Sequence, residues 1–133
     1  MNIGEAAATS GITAKMIRYY ETIGLIPKAG RTEAGYRLYS PSDVNTLRFI
    51  RRARDFGMSI PRIERLIGLW LDRERRSREV KTIAMEHVRE LEARIAELTA
   101  MDGALRELAD RCHGDSRPDC LILRDLGRSP GSW

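Results

Sequence analysis

The chain has 133 residues, of which 32% are charged and 6% aromatic, and it carries a formal net charge of +4. That length allows one domain with an appended element, and so many charges with so few rings suit long exposed helices around a modest core better than a large globule. No apolar run approaches the roughly 18 residues of a membrane span, and the opening "MNIGEAAATSG" lacks the layout of a signal peptide, so a cytoplasmic protein without a membrane partner is expected.

Ile3 to Ala8 is a short Ala-rich helix stopped at Ser10-Gly11. Thr13 then serves as N-cap of a second helix on which Ile12, Met16, Tyr20 and Ile23 recur at helical spacing, until Gly24 and Pro27 end it. Two short helices joined by a tight Gly-containing turn form a helix-turn-helix pattern. With Ile12, Met16 and Tyr20 inward, Lys15, Arg18 and Tyr19 lie on the open side. A helix offering Lys and Arg near its start suits the DNA major groove, although a solvated face reads the same way.

"AGRTEAGYRLYS" predicts a small β-hairpin with Arg31 on one arm and Arg37 on the other, placed like a wing that grips a phosphate backbone. Ser40 caps a third helix with Pro41 in its first turn and Asp43 close behind; Val44, Leu47 and Ile50 form its apolar stripe, and Arg48, Arg51, Arg52 and Arg54 stay outside. Gly57 ends that helix. Residues 59–70 form a fourth, with Ile63, Leu66, Ile67 and Trp70 expected in the core. Residues 1–60 hold nine Lys/Arg against five Asp/Glu, whereas residues 61–133 hold fourteen of each. The basic half suits a polyanion-binding head, and the balanced half a neutral scaffold.

After the nearly all-charged "LDRERRSRE", the series Ala84, Val88, Leu91, Ile95, Leu98, Asp102, Leu105, Ala109 steps by alternating fours and threes. This heptad seam, interrupted only by Asp102, predicts one helix over residues 80–111, about 48 Å long at 1.5 Å per residue. Such a stripe needs a partner, most simply an antiparallel copy of itself; too few apolar residues remain for a three-helix bundle within the chain. The expected organisation is therefore a DNA-binding domain over 1–70, a hinge over 71–79, a dimerisation helix over 80–111, and a loop with a short helix over 112–133.

Both cysteines fall in "CHGDSRPDC", with Cys112 at the end of the seam and Cys120 beyond it. A disulfide, a redox pair and a two-thiolate metal clamp compete. A disulfide is disfavoured where thiols are kept reduced, and a redox pair more typically takes the form Cys-x-x-Cys. Two thiolates by themselves satisfy a soft monovalent ion such as Cu(I). His113, Asp115 and Asp119 are donors that a harder ion could use.

The motifs "IRYYETIGLI", "GYRLYS", "RFIRRARDFGMSI" and "CHGDSRPDC" together resemble the MerR family of transcriptional regulators, in its copper-efflux (CueR-type) group. The resemblance covers residues 1–126 and implies a mainly α fold: a winged helix-turn-helix head, a long antiparallel coiled-coil dimerisation helix and a C-terminal metal-binding loop. It also implies a homodimeric activator that distorts double-stranded promoter DNA so that RNA polymerase can engage both promoter elements. Carried over by position, the DNA contacts fall on Lys15, Arg18, Tyr36, Arg37 and Arg54, with Arg31 in the wing. The metal ligands fall on Cys112 and Cys120, with Cu(I), or Ag(I) or Au(I), as effector. Drug-sensing relatives carry a large extra domain and iron–sulfur relatives carry four cysteines. Divalent-metal sensors place another Cys near the start of the long helix, where this chain has Ser77. Two other functions stay open, a divalent-metal sensor using His113 or Asp ligands and a constitutive DNA-bending protein. An enzyme is not expected, for want of a phosphate-binding glycine loop or an acid/base constellation.

Overall fold

The structure, a computed structural model, describes residues 1–35 and 37–128; the predicted DNA contact Tyr36 lies outside the described residues, as does the end of the 112–133 segment. The elements in chain order are α1 (Ile3–Ser10), α2 (Ala14–Thr22), β1 (Gly30–Arg31), β2 (Arg37–Leu38), α3 (Pro41–Asp55), α4 (Ile60–Leu71), α5 (Ser77–Arg111) and α6 (Leu121–Leu126). The chain divides into two compact units, Met1–Ala84 and Met85–Trp133.

In the first unit, each short helix starts where a side chain can satisfy an orphan amide. Asn2 and Glu5 form a capping box on α1, Thr13 accepts from the Met16 amide at 3.2 Å on α2, and Ser40 and Asp43 form a second capping box on α3. Gly11, at φ 77, turns the chain out of α1 into α2. That turn is clasped from α3: Arg51 Nη1 donates to the Gly11 carbonyl at 2.9 Å, and Arg48 Nε donates to the Thr9 carbonyl at 3.4 Å.

The core joins α1, α2, α3 and α4, and its largest fully buried side chains are Ile17, Leu47, Ile50 and Ile63. Burial of each is worth about 1.5–3 kcal/mol. Several expectations need correction, among them that for Leu66 of α4, expected in the core and only half-buried. Ile17, not Met16, takes the central position on α2, and Met16 is only half-buried. Ile23 is exposed, because α2 ends at Thr22 and Gly24 redirects the chain; Leu25 and Ile26 go inward instead. Trp70 is 40% exposed, stacked on Phe49 at a ring separation of 4.6 Å rather than buried in the core.

The non-helical joint after α4 covers only residues 72–76, shorter than the expected hinge, and α5 begins at Ser77 rather than at residue 80. Arg75 Nη1 closes the end of α4 by donating to the Trp70 and Asp72 carbonyls, each at 3.2 Å. Among the described residues no helix is long and apolar enough to cross a membrane.

The second unit holds most of α5, the loop after it and α6. The heptad positions on α5 stand open: Ile95 and Leu98 are each 62% exposed and Leu105 is 54% exposed. Asp102, the polar interruption, pairs with Arg106 at 3.2 Å. Leu121 and Ile122 of α6 are half-buried, while Leu126 is exposed.

Candidate nucleic-acid interface and thiol pair

The wing of the first unit is a ribbon of two residue pairs, Gly30 opposite Leu38 and Arg31 opposite Arg37. Gly35, at φ 85, makes the tip turn, and Arg31 Nη1 donates to its carbonyl at 3.1 Å. The structure brings Arg18 of α2 together with Arg31 and Arg37 around one concavity of about 340 Å3, completed by Asn2, Ile3 and Gly35. Three arginines thus border one open hollow, and guanidinium forks are suited to meet a phosphate oxygen in a charge-assisted, bidentate way.

Lys15 is exposed in the first turn of α2, where it can reach a groove edge. Arg54 sits in the last turn of α3, where its Nη1 donates to the Met58 carbonyl at 3.3 Å and steadies the connection to α4.

Sequence reasoning missed Glu21. Its carboxylate is buried, accepts the Tyr39 hydroxyl on Oε1, and places Oε2 3.1 Å from Arg37 Nη1. The missed signal was positional: Glu21 follows Ile17 by four residues, so an acidic group occupies the buried face of α2. Tyr39 is buried too, and its amide donates to the Met1 carbonyl at 2.7 Å. Burial and the bond to Glu21 push the Tyr39 hydroxyl above its ordinary pKa.

In the second unit, Cys112 closes the last turn of α5, its amide donating to the Leu108 and Ala109 carbonyls at 3.0 and 3.2 Å. Cys120 precedes α6 as its N-cap. Both thiols are free and half-buried, and their Sγ atoms lie 3.8 Å apart. The Cys120 thiol is held below its ordinary pKa first by the Leu123 amide in the first turn of α6. Desolvation opposes this, the Cys112 thiol and the Ile122 amide add to it, and the Asp119 charge resists it.

The loop's carboxylates are already engaged. Arg117 Nε holds Asp115 at 2.8 Å, and Arg124 Nη2 holds Asp119 at 2.7 Å. His113 shares with Cys112, Arg111, Asp119, Leu121 and Arg124 the lining of a cavity of about 200 Å3. No group of three or more His, Cys, Asp or Glu is gathered among the described residues. Two soft sulfurs are therefore brought together without a ready set of harder donors. Two bonds of about 2.3 Å reach at most about 4.6 Å, so sulfurs 3.8 Å apart are close enough to share one ion.

Residues 1–69 match the family described as "MerR HTH family regulatory protein", and residues 44–108 match "MerR, DNA binding". The chain is 56% identical over 126 residues to "Heavy metal-dependent transcription regulator 2" of Rhizobium meliloti (strain 1021), covering 95% of this chain and 86% of that protein. It is 40% identical over 126 residues to "HTH-type transcriptional regulator CueR" of Escherichia coli O157:H7, covering 95% and 93%. A solved structure of the transcription regulator PbrR691 from Ralstonia metallidurans CH34, in complex with lead(II), superposes with a TM-score of 0.82 at 31% identity, covering 95% of this chain and 98% of that one.

Proposed function

This chain belongs to the MerR family of helix-turn-helix regulatory proteins, and from that premise we propose that it is a transcriptional activator switched by a soft monovalent metal ion, Cu(I) in the first place and Ag(I) or Au(I) by the same chemistry. It is a regulator and not an enzyme, like the proteins it matches. The observation that carries the metal reading is the thiol pair, with Sγ atoms 3.8 Å apart and the neighbouring Asp115 and Asp119 already committed to arginines. Thiolates are soft donors, and two of them meet the coordination needs of a singly charged coinage ion, whereas Zn(II) asks for four ligands. The lowered pKa of Cys120 supports the reading, since only the thiolate binds.

The chain works as a homodimer on double-stranded promoter DNA in the cytoplasm. The exposed α5 seam of Ile95, Leu98 and Leu105 supports the antiparallel pairing. Lys15, Arg18, Arg31, Tyr36, Arg37 and Arg54 make the DNA contacts in this proposal. Metal held by Cys112 and Cys120 orders the loop and seats α6, which biases the joint at 72–76 and so the grip of the two heads on DNA. RNA polymerase reads the distorted promoter. This coupling is energetic: the ion shifts the equilibrium only by the difference in its affinity for the two states.

A divalent-metal reading is kept because His113 lines the same cavity as Cys112, and because the similar PbrR691 was solved with lead(II). X-ray absorption on the copper-loaded dimer separates the two. Two sulfur neighbours per metal support the monovalent proposal, and added nitrogen neighbours implicate His113. In a transcription assay, Cys120→Ser is expected to abolish the response to Cu(I) while leaving DNA affinity of the metal-free protein unchanged. A retained response rejects the thiol clamp.

A further inference from the structure

We propose that Glu21 is the positioning residue of the wing: its buried carboxylate fixes the Arg37 guanidinium at the root of the hairpin, so that Arg37 borders the hollow it shares with Arg18 and Arg31, where a DNA phosphate is received. The inference rests on the reading of Arg37 as a DNA contact and asks what puts it in place.

Three observations carry it. First, the ribbon is only two residue pairs long, too short to set its own orientation. Something outside it has to fix the wing against α2. Second, Arg31 and Arg37 are direct cross-strand partners, a like-charged pair that repels. Glu21 supplies the opposing charge, with Oε2 3.1 Å from Arg37 Nη1. Third, Glu21 is 6% exposed and uses both oxygens on residues of the wing arm, Oε2 on Arg37 and Oε1 on the Tyr39 hydroxyl. A buried carboxylate is tolerated only when it is paired in this way.

The two hollows flanking the wing differ in the same sense. Glu21 lines one of them, together with Thr22, Lys28 and Ala29; Arg18, Asn2, Ile3 and Gly35 line the other; Arg31 and Arg37 border both. The hollow that holds the carboxylate sets Lys28, Arg31 and Arg37 against Glu21, whereas the other sets Arg18, Arg31 and Arg37 against no acid, so a phosphate is favoured in the latter. Glu21 thus anchors Arg37 from behind and favours the side from which the backbone is gripped.

The test uses the full-length dimer and its operator duplex. Specific affinity is measured by fluorescence anisotropy across a salt series, with thermal melting of each variant in parallel. Arg37→Ala is expected to lower the slope of log affinity against log salt by about 2 per dimer, one phosphate contact per head. Glu21→Gln, which keeps size and one acceptor but removes the charge, is expected to reproduce most of that loss. In an Arg37→Ala background it adds no further change in slope. Glu21→Asp is expected to restore part of the slope. Should Glu21→Gln fail to fold, Tyr39→Phe loosens the same carboxylate from its other oxygen and is expected to lower the slope part of the way. A Glu21→Gln protein, or in its place a Tyr39→Phe protein, that keeps the native slope overturns the proposal, however far its melting temperature falls. A native slope in Arg37→Ala removes the phosphate contact itself and overturns the proposal at its premise, a result distinct from a failure of Glu21 alone.

Discussion

The sulfur atoms of Cys112 and Cys120 face each other at 3.8 Å across a loop whose two carboxylates are each held by an arginine. The pair is assembled by two helix ends: Cys112 continues the amide ladder of α5, and Cys120 opens α6. Because α5 and α6 each have a cysteine at one end, the two thiols lie within reach of one another.

The acidity of Cys120 should be visible without metal. Its pKa lies below that of an ordinary thiol, so the rate of alkylation by iodoacetamide should rise with pH to a lower midpoint in the folded protein than in urea. Cys112→Ala removes one of the lowering contacts but not the larger one from Leu123, so the midpoint should move upward yet stay below that in urea. The sign for stability follows from a depressed folded pKa. The contribution is complete above the unfolded value and is lost as pH falls through the folded one.

The open seam predicts the oligomeric state. Leu98→Asp places a charge on a stripe that needs burial, and sedimentation should show monomers at concentrations where the native chain is paired. Asp102→Leu fills the one polar gap in the heptads and should tighten the dimer by about 1.5–3 kcal/mol per buried side chain. The counterweight is loss of the exposed pair with Arg106, which is worth little. An unchanged dissociation constant would argue against the seam as the contact.

The clasp between Arg51 and Gly11 predicts a stability effect far from either functional place. Gly11→Ala has to hold φ 77 with a side chain, and its Cβ would run into the Arg51 guanidinium. The left-handed conformation costs about 1–2 kcal/mol and the lost hydrogen bond about 1 kcal/mol. Denaturant melts should show a fall of about 2–3 kcal/mol for Gly11→Ala and about 1 kcal/mol for Arg51→Ala.

Metal choice should respond to the residue that opens α5. Ser77 begins that helix, where a hydroxyl supplies no soft donor. If the chains pair antiparallel, Ser77→Cys offers the Cys112–Cys120 pair a further thiolate. It should then raise the affinity for Zn(II) or Pb(II), read by competition with a chromophoric chelator, at least tenfold while Cu(I) is still bound. No gain in divalent affinity would place position 77 outside the site.

Much of the fold was legible along the chain because its signals act over a few residues. Asn2, Thr13, Ser40 and Ser59 cap the helices that follow them, and Gly11, Gly24, Gly35 and Gly57 sit at positive φ in the turns. The placing of Arg31 and Arg37 on opposite arms of a hairpin and the heptad pattern of α5 follow from signals of the same short range. Position within a helix did not settle burial where an element ended or met an edge. Ile23 lay past the end of α2, and Trp70 covered Phe49 from outside.

The residue pattern by itself determined a capped, basic helix-turn-helix head with a wing, a long helix bearing an apolar seam, and two thiols at its end, since each depends on neighbours within about one or two turns. Only the tertiary structure decided that Glu21 faces Arg37 and Tyr39, 16 and 18 positions away, and that Arg51 closes the turn at Gly11. Those pairings turn on how separate elements fold back on one another and on which charges burial forces together, and a charged side chain reads the same in sequence whether it points to water or to a buried partner.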